Sequence, residues 1–223
     1  YRQALGADDH DNHDDHATEG ATKNFSVSQA FAPMSFSTGL VWDFTDGYNI
    51  GLSLSHSNRA PSAAELLSFG PHIGTGSYEV GALFALHEDQ GEAPHFALAE
   101  NDIVMETSNN IDLSFRKFKG DFGFIFNAFY NQIDDYYYEQ ATKYSAGDGH
   151  DHSGHNHGSG EEEAEHTLPL FIFNAQDATL HGLEAQAVWQ MTDDFSWKIQ
   201  GDIIRSRLKA GGELPRTPPA RIT

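Results

Sequence analysis

The sequence contains no cysteine, which excludes disulfides, thiolate metal sites and dithiol redox chemistry. It fits an envelope or extracellular setting without demanding one. Basic side chains are scarce: 13 Lys and Arg stand against 33 Asp and Glu, for a formal net charge of −20. A nucleic-acid partner is excluded on that ground, because phosphate backbones are bound by Lys and Arg. An anionic surface suits cations instead. No apolar run approaches the ~20 residues that a membrane-spanning helix needs. Overall hydropathy is low, but transmembrane β-barrels escape that test, since only alternate residues meet lipid. The sequence also lacks a His-Glu-x-x-His motif, a phosphate-cradling Gly loop in a strand–turn–helix setting and a Gly-x-Ser-x-Gly elbow, so no enzyme chemistry is expected.

What is present is alternation with a period of two. Met34, Phe36, Thr38, Leu40, Trp42 and Phe44 share one parity, and Ser35, Ser37, Gly39, Val41 and Asp43 the other. This is the signature of a strand with one apolar face, within a segment of about 25–45. Asp46-Gly47 follows, a tight-hairpin signal because Gly tolerates φ > 0. The alternation then resumes at Tyr48, Ile50, Leu52 and Leu54. Further strands are expected over about 103–118, from Phe122 onward, over about 169–191 and from Phe195 onward, with turns at Lys119-Gly120 and Asp193-Asp194 and the start of a seventh strand near the end. Ser62-Ala63-Ala64-Glu65 after Pro61 has the spacing of a capping box and predicts one or two helical turns.

The connections alternate in length. Short turns fall near 46, 119 and 193, and long loops cover 1–22, 59–102, 139–168 and 209–219. Outer-membrane barrels pair short periplasmic turns with long extracellular loops in this way. Trp42, Phe44, Tyr48, Phe122, Trp189, Phe195 and Trp197 crowd the short-turn ends, as in an interfacial aromatic girdle. Tyr136, Tyr137 and Tyr138 are expected to supply the opposite girdle. A soluble β-sandwich alternates similarly, but has no need of one-sided long loops. The expected fold is therefore all-β, an antiparallel up-and-down transmembrane β-barrel. Six or seven strands cannot close a membrane barrel, which takes at least about eight, and an open edge in hydrocarbon is not viable. The chain is thus expected to be part of one β-barrel domain in a larger protein.

Several segments carry a resemblance. Ser57-Asn58-Arg59-Ala60-Pro61 with Glu65-Leu66, then Glu106-Thr107-Ser108-Asn109, then Asn174 with Gly182-Leu183-Glu184, then Leu214-Pro215-Arg216-Thr217-Pro218-Pro219 resemble, in order and spacing, the later barrel of TonB-dependent outer-membrane receptors. Gly70-Pro71-His72 followed by Tyr78-Glu79-Val80-Gly81 resembles the zinc-uptake branch, the ZnuD-type receptors. The resemblance implies a 22-stranded barrel in a Gram-negative outer membrane, a plug domain inside it, and energy coupling to the TonB complex through a TonB box. Neither plug nor TonB box lies in this chain.

The histidines gather in the long loops. His10, His13 and His16 stand among Asp8, Asp9, Asp11, Asp14 and Asp15. His150, His152, His155, His157 and His166 stand near Asp148, Asp151 and the run Glu161, Glu162, Glu163 and Glu165. His72 with Glu79, and His87 and His95 around Glu88, Asp89 and Glu92, complete the candidate ligand set. A lone loop histidine is commonly incidental, but repeated His-rich tracts are a metal signature. Imidazole and carboxylate without thiolate suit Zn²⁺, and also Ni²⁺ or Cu²⁺. Closing a flexible loop around an ion costs chain entropy, so weak, exchangeable sites are expected, which suits capture and release. His56, on the apolar-face parity near the loop end of its strand, is read as interfacial, and His181 as structural. The expected function is TonB-dependent import of zinc ions captured by these loops, with outer-membrane lipid as the surrounding solvent. The alternatives are a receptor for a metal chelate such as a siderophore or haem, and a soluble extracellular metal-buffering β-protein. Chelate receptors would favour aromatic and Arg-rich loops.

Overall fold

The computed structural model describes residues 3–4, 22–23, 28–88, 91, 94–100, 102–147 and 167–223. The chain divides into two units, Tyr1–Ala32 and Pro33–Thr223. In the first, β1 (Gln3–Ala4) and β2 (Thr22–Lys23) form a short antiparallel pair. The second contains everything else.

Its main sheet is built from β3 (Ser35–Thr45), β4 (Tyr48–Arg59), β9 (Glu106–Lys117), β10 (Phe122–Gly147), β11 (Thr167–Thr192), β12 (Phe195–Leu208) and β13 (Arg221–Ile222). They stand side by side in that order, each antiparallel to its neighbours. This is the up-and-down arrangement expected from the alternation. Gly47 makes the first tight turn with φ of 78°, a backbone conformation that costs glycine nothing.

The register shows why the alternation matters. Leu40, Leu52, Leu113, Ala128, Leu183 and Ile203 are successive cross-strand partners in a single row. The next row on the opposite parity runs Gly51, Ser114, Asn127, Glu184 and Asp202. Large side chains of the apolar row are exposed: Leu40 66%, Leu113 48% and Leu183 45%. A water-soluble sandwich would bury those side chains against a second layer. Each fully buried leucine would contribute ~1.5–3 kcal/mol there, and side chains left half exposed or more forgo a large part of it. An exposed apolar face of this kind suits a hydrocarbon surrounding. Phe122 to Tyr130 on β10 is nine residues, at the lower end of the ~9–11 with which a tilted strand crosses a bilayer. Trp42, Trp189, Phe195 and Trp197 are also exposed, toward the short turns.

Two sequence boundaries shift. Residues 139–168 are not all loop, because β10 continues to Gly147 and β11 begins at Thr167. Each of these strands has 26 residues, far more than the ~9–11 that cross a bilayer. Their upper parts therefore extend the wall beyond the membrane on the long-loop side. The segment 59–102 is also largely ordered. It holds α1 (Ala63–Leu67), β5 (Phe69–His72), β6 (Ser77–Val80), β7 (Phe84–His87) and β8 (His95–Leu98). The capping box at Ser62 and Glu65 forms as its spacing predicts. β5 pairs with β6, and β6 adds in parallel to the upper part of β11 through Tyr78 and Leu170, Glu79 and Phe171, and Val80 and Ile172.

The tyrosine expectation fails. Tyr137 and Tyr138 are buried rather than lipid-facing. The register slips between Ile133 and Tyr136, with Asp135 at φ of 56°. That irregularity changes which residues face which way. Tyr137 hydroxyl then donates to the Val104 carbonyl at 2.9 Å, and Tyr138 packs with Ala178 and Leu214.

Candidate metal-capture loops

The inserted segment on the long-loop side has its own small core. Leu66, Val80, Leu83 and Phe84 are buried, Val80 completely. The Phe69 ring meets those of Phe84, Phe96 and Tyr78, with centroids 5.0, 5.5 and 6.1 Å away. Backbone bonds from Gly81 to Ser68, Ala82 to Glu65 and Leu83 to Leu66 tie the segment after β6 to α1. Gly81 is required by this approach, since a Cβ there would collide with the Leu66 carbonyl.

An ion-pair network joins this segment to the wall. Arg59, at the upper end of β4, donates to Glu65 Oε2 at 2.8 Å and to Glu106 Oε2 at 2.7 Å. Both carboxylates are mostly shielded. Burial pushes the Glu65 carboxyl up. The hydrogen bonds from Arg59 and from the Ser62 backbone more than reverse this, leaving it below the ordinary carboxylate range. The tie spans β4, α1 and β9, and sequence reading saw its members only as parts of a motif.

His72 and Glu79 are brought together by the β5–β6 hairpin. His72 Nδ1 lies 3.0 Å from Glu79 Oε1 and 2.8 Å from Thr75 Oγ1. Thr75 and Ser77 hydroxyls also reach Glu79 Oε1, at 2.9 and 3.2 Å. Glu79 is buried while the His72 side chain is more than half exposed. Nδ1 is the ring nitrogen engaged in this cluster, hydrogen-bonded to Thr75 Oγ1 and close to the Glu79 carboxylate. The remaining ring nitrogen, Nε2, is then the one available to a ligand. Metal-binding histidines are oriented in this manner by a carboxylate on the other nitrogen. Thr75 and Ser77 were not singled out from sequence. The Ser77-x-Glu79 spacing, which puts both on one side of a strand, was the signal for Ser77.

His87 and His95 are direct cross-strand partners in the β7–β8 hairpin, their ring centroids 5.6 Å apart and their planes within 18° of parallel. Both are exposed. Lys143 on upper β10 contacts Glu88 at 3.1 Å, beside the pair.

Among the described residues, no group of three or more His, Asp or Glu side chains is arranged to hold a metal ion. The predicted ligands His72, Glu79, His87 and His95 form two pairs instead. His10, His13, His16, His150, His152, His155, His157 and His166 lie outside the described residues. His56 and His181 lie on the main sheet: His56 Nδ1 is 2.7 Å from Asn109 Oδ1 and its ring stacks on Phe36, and His181 stacks on Tyr130.

Residues 5–223 match the sequence model of a family described as TonB dependent receptor-like, beta-barrel. Among solved structures, the chain is similar to the copper transporter OprC, with a TM-score of 0.57 and 14% identity over 83% of this chain and 22% of that one. It is also similar to the FrpB iron transporter from Neisseria meningitidis, with a TM-score of 0.41 and 14% identity over 78% of this chain and 20% of that one. A third likeness is to the siderophore receptor PirA from Pseudomonas aeruginosa, with a TM-score of 0.46 and 15% identity over 77% of this chain and 28% of that one. The chain thus spans between a fifth and just over a quarter of these proteins. The OprC likeness supports the fold.

Proposed function

The chain belongs to the family of TonB-dependent receptor β-barrels, a family of the Gram-negative outer membrane, and from that premise we propose that it is part of a receptor that imports zinc ions captured by its extracellular loops. The observation that carries this reading is the placement of His72 and Glu79 on the long-loop side. There a buried carboxylate holds an imidazole with one nitrogen turned to it and the rest of the ring exposed. The second support is chemical. The loops are rich in imidazole and carboxylate and contain no thiol, which suits Zn²⁺ and the neighbouring divalent ions Ni²⁺ and Cu²⁺.

In this reading the acidic loops raise the local cation concentration, and the loop histidines, His10 to His16 and His150 to His166 included, bind ions weakly and exchange them quickly. His72 offers Nε2 while Glu79, with Thr75 and Ser77 around it, fixes the ring. Passage inward is the work of the plug and of TonB, partners of the whole receptor. A metal-chelate substrate remains the second reading within the same family. Its observable mark would be uptake that depends on the chelator rather than on the free ion.

The test is accumulation of zinc, nickel and copper, and of a ferric siderophore, in cells carrying the full-length receptor with and without TonB. TonB-dependent zinc accumulation at scarce zinc that falls when His72 is replaced by Ala supports the proposal. Accumulation of the siderophore alone would overturn it.

A further inference from the structure

The β7–β8 hairpin is symmetric in its pattern of large apolar, small and imidazole side chains. Phe84-Ala85-Leu86-His87 is mirrored by His95-Phe96-Ala97-Leu98, and the register pairs Phe84 with Leu98, Ala85 with Ala97, Leu86 with Phe96 and His87 with His95. Alternation divides the hairpin into two faces. Phe84, Leu86, Phe96 and Leu98 share the face that meets Phe69 through the rings of Phe84 and Phe96. His87 and His95 share the other face with the two small alanines, Ala85 and Ala97, so nothing bulky on the hairpin crowds them. The hairpin base is fixed by the Phe69 contacts and by the Ala99 amide bonding to the Leu83 carbonyl at 2.8 Å.

We propose that His87 and His95 form a two-imidazole chelate for a divalent transition-metal ion, with the ion's other positions left to water or to passing ligands. This rests on the metal-import reading above and names a site within it. Direct cross-strand partners have Cβ atoms ~4.5–5.5 Å apart, close enough for two imidazoles to reach one ion after small side-chain rotations. The fold has already ordered both ligands, so binding does not require the loop-closure entropy that a flexible His tract loses. Imidazole pairs suit Cu²⁺, Ni²⁺ and Zn²⁺, and Cu²⁺ is held most tightly of these. Two protein ligands rather than four leave the ion exchangeable, as a hand-over position requires. Glu88, next to His87, is paired with Lys143, so its charge is offset and the two imidazoles carry the binding.

The experiment uses the full-length receptor in detergent, with His10, His13, His16, His72, His150, His152, His155, His157 and His166 replaced by Asn so that the pair is read against a quiet background. Cu²⁺ and Zn²⁺ titrations, with nitrogen hyperfine splitting in the Cu²⁺ electron paramagnetic resonance spectrum, are compared for this receptor and for H87F, H95F and the double variant. Phenylalanine keeps a stacking ring, so the hairpin retains its ring contact. A chelate predicts that each single change weakens binding by about tenfold or more, that the double change adds little, and that the two-nitrogen spectrum is lost in every variant. Additive losses, or equal affinity in the pair-bearing and double-variant receptors, would overturn the chelate. Zinc accumulation in cells separates the two claims: import without a chelating pair sinks this inference alone, and a chelating pair without import sinks the import reading.

Discussion

In the proposed function, Glu79 serves the His72 site without touching the ion. It is buried, accepts from Thr75 and Ser77, and faces His72 Nδ1. Removing it strands two hydroxyls with reduced partners, at a cost of ~1–3 kcal/mol for buried polar groups left unsatisfied. Glu79→Ala is therefore expected to speed hydrogen exchange in β5 and β6 and to weaken metal binding at His72, while the main sheet keeps its protection. Glu79→Gln retains an acceptor and should be milder in exchange. Unchanged exchange in the hairpin for Glu79→Ala would show that the cluster does not hold it. The pairing of His72 with Glu79 was visible in the sequence only as two residues seven apart. The turn that joins them depends on β5–β6 pairing, which spacing does not reveal. The facing of His87 and His95 was legible in principle, because a pattern of apolar, small and imidazole residues symmetric about Gly91 reads as a hairpin.

At the scale of elements, Arg59 joins β4, α1 and β9 through two carboxylates. Arg59→Ala leaves Glu65 and Glu106 facing each other without a cation. We expect it to loosen α1 and the inserted segment by about 1–2 kcal/mol, discounted because the guanidinium is partly exposed. Arg59→Lys should recover only part, since a point charge does not reproduce the fork that spans both acids. The Glu65 carboxyl is held below its ordinary range. A depressed acid contributes stability that is complete above the unfolded value and is lost as pH falls through the folded one. Limited proteolysis after Arg59→Ala, and of the unaltered protein on acidification below the carboxylate range, should cut first within residues 60–105. Cleavage that starts in the main strands would contradict this. The helix of α1 was legible because a capping box is local chemistry. The four short strands around it were not, because they are held by contacts among Phe69, Phe84, Phe96 and Tyr78 rather than by periodicity.

For the molecule as a whole, parity decides the solvent. The main strands and their short turns were legible because lipid on one side imposes a strict period of two over long stretches. The tyrosines were misplaced because one register slip at Asp134-Asp135 breaks that period, and nothing in composition marks it. Arg at the Leu113 position, in the middle of the apolar row, is expected to oppose membrane assembly by ~2–4 kcal/mol. Asn127→Lys, on the opposite parity beside Glu184, should assemble normally, as heat-modifiable mobility of the folded barrel would report. The central claim is that the imidazole-bearing loops face the outside of the cell while the tight turns face the periplasm. This chain brings no cysteine of its own, so the claim is measurable by single-cysteine labelling of intact cells with a membrane-impermeant maleimide, read against the receptor without the added cysteine. The account predicts that Ile73→Cys, at a tip 93% exposed, is labelled in the full-length receptor, and that Asp46→Cys and Asp193→Cys are labelled only after the outer membrane is opened. Labelling of Asp46→Cys or Asp193→Cys in intact cells, with Ile73→Cys protected, would contradict it.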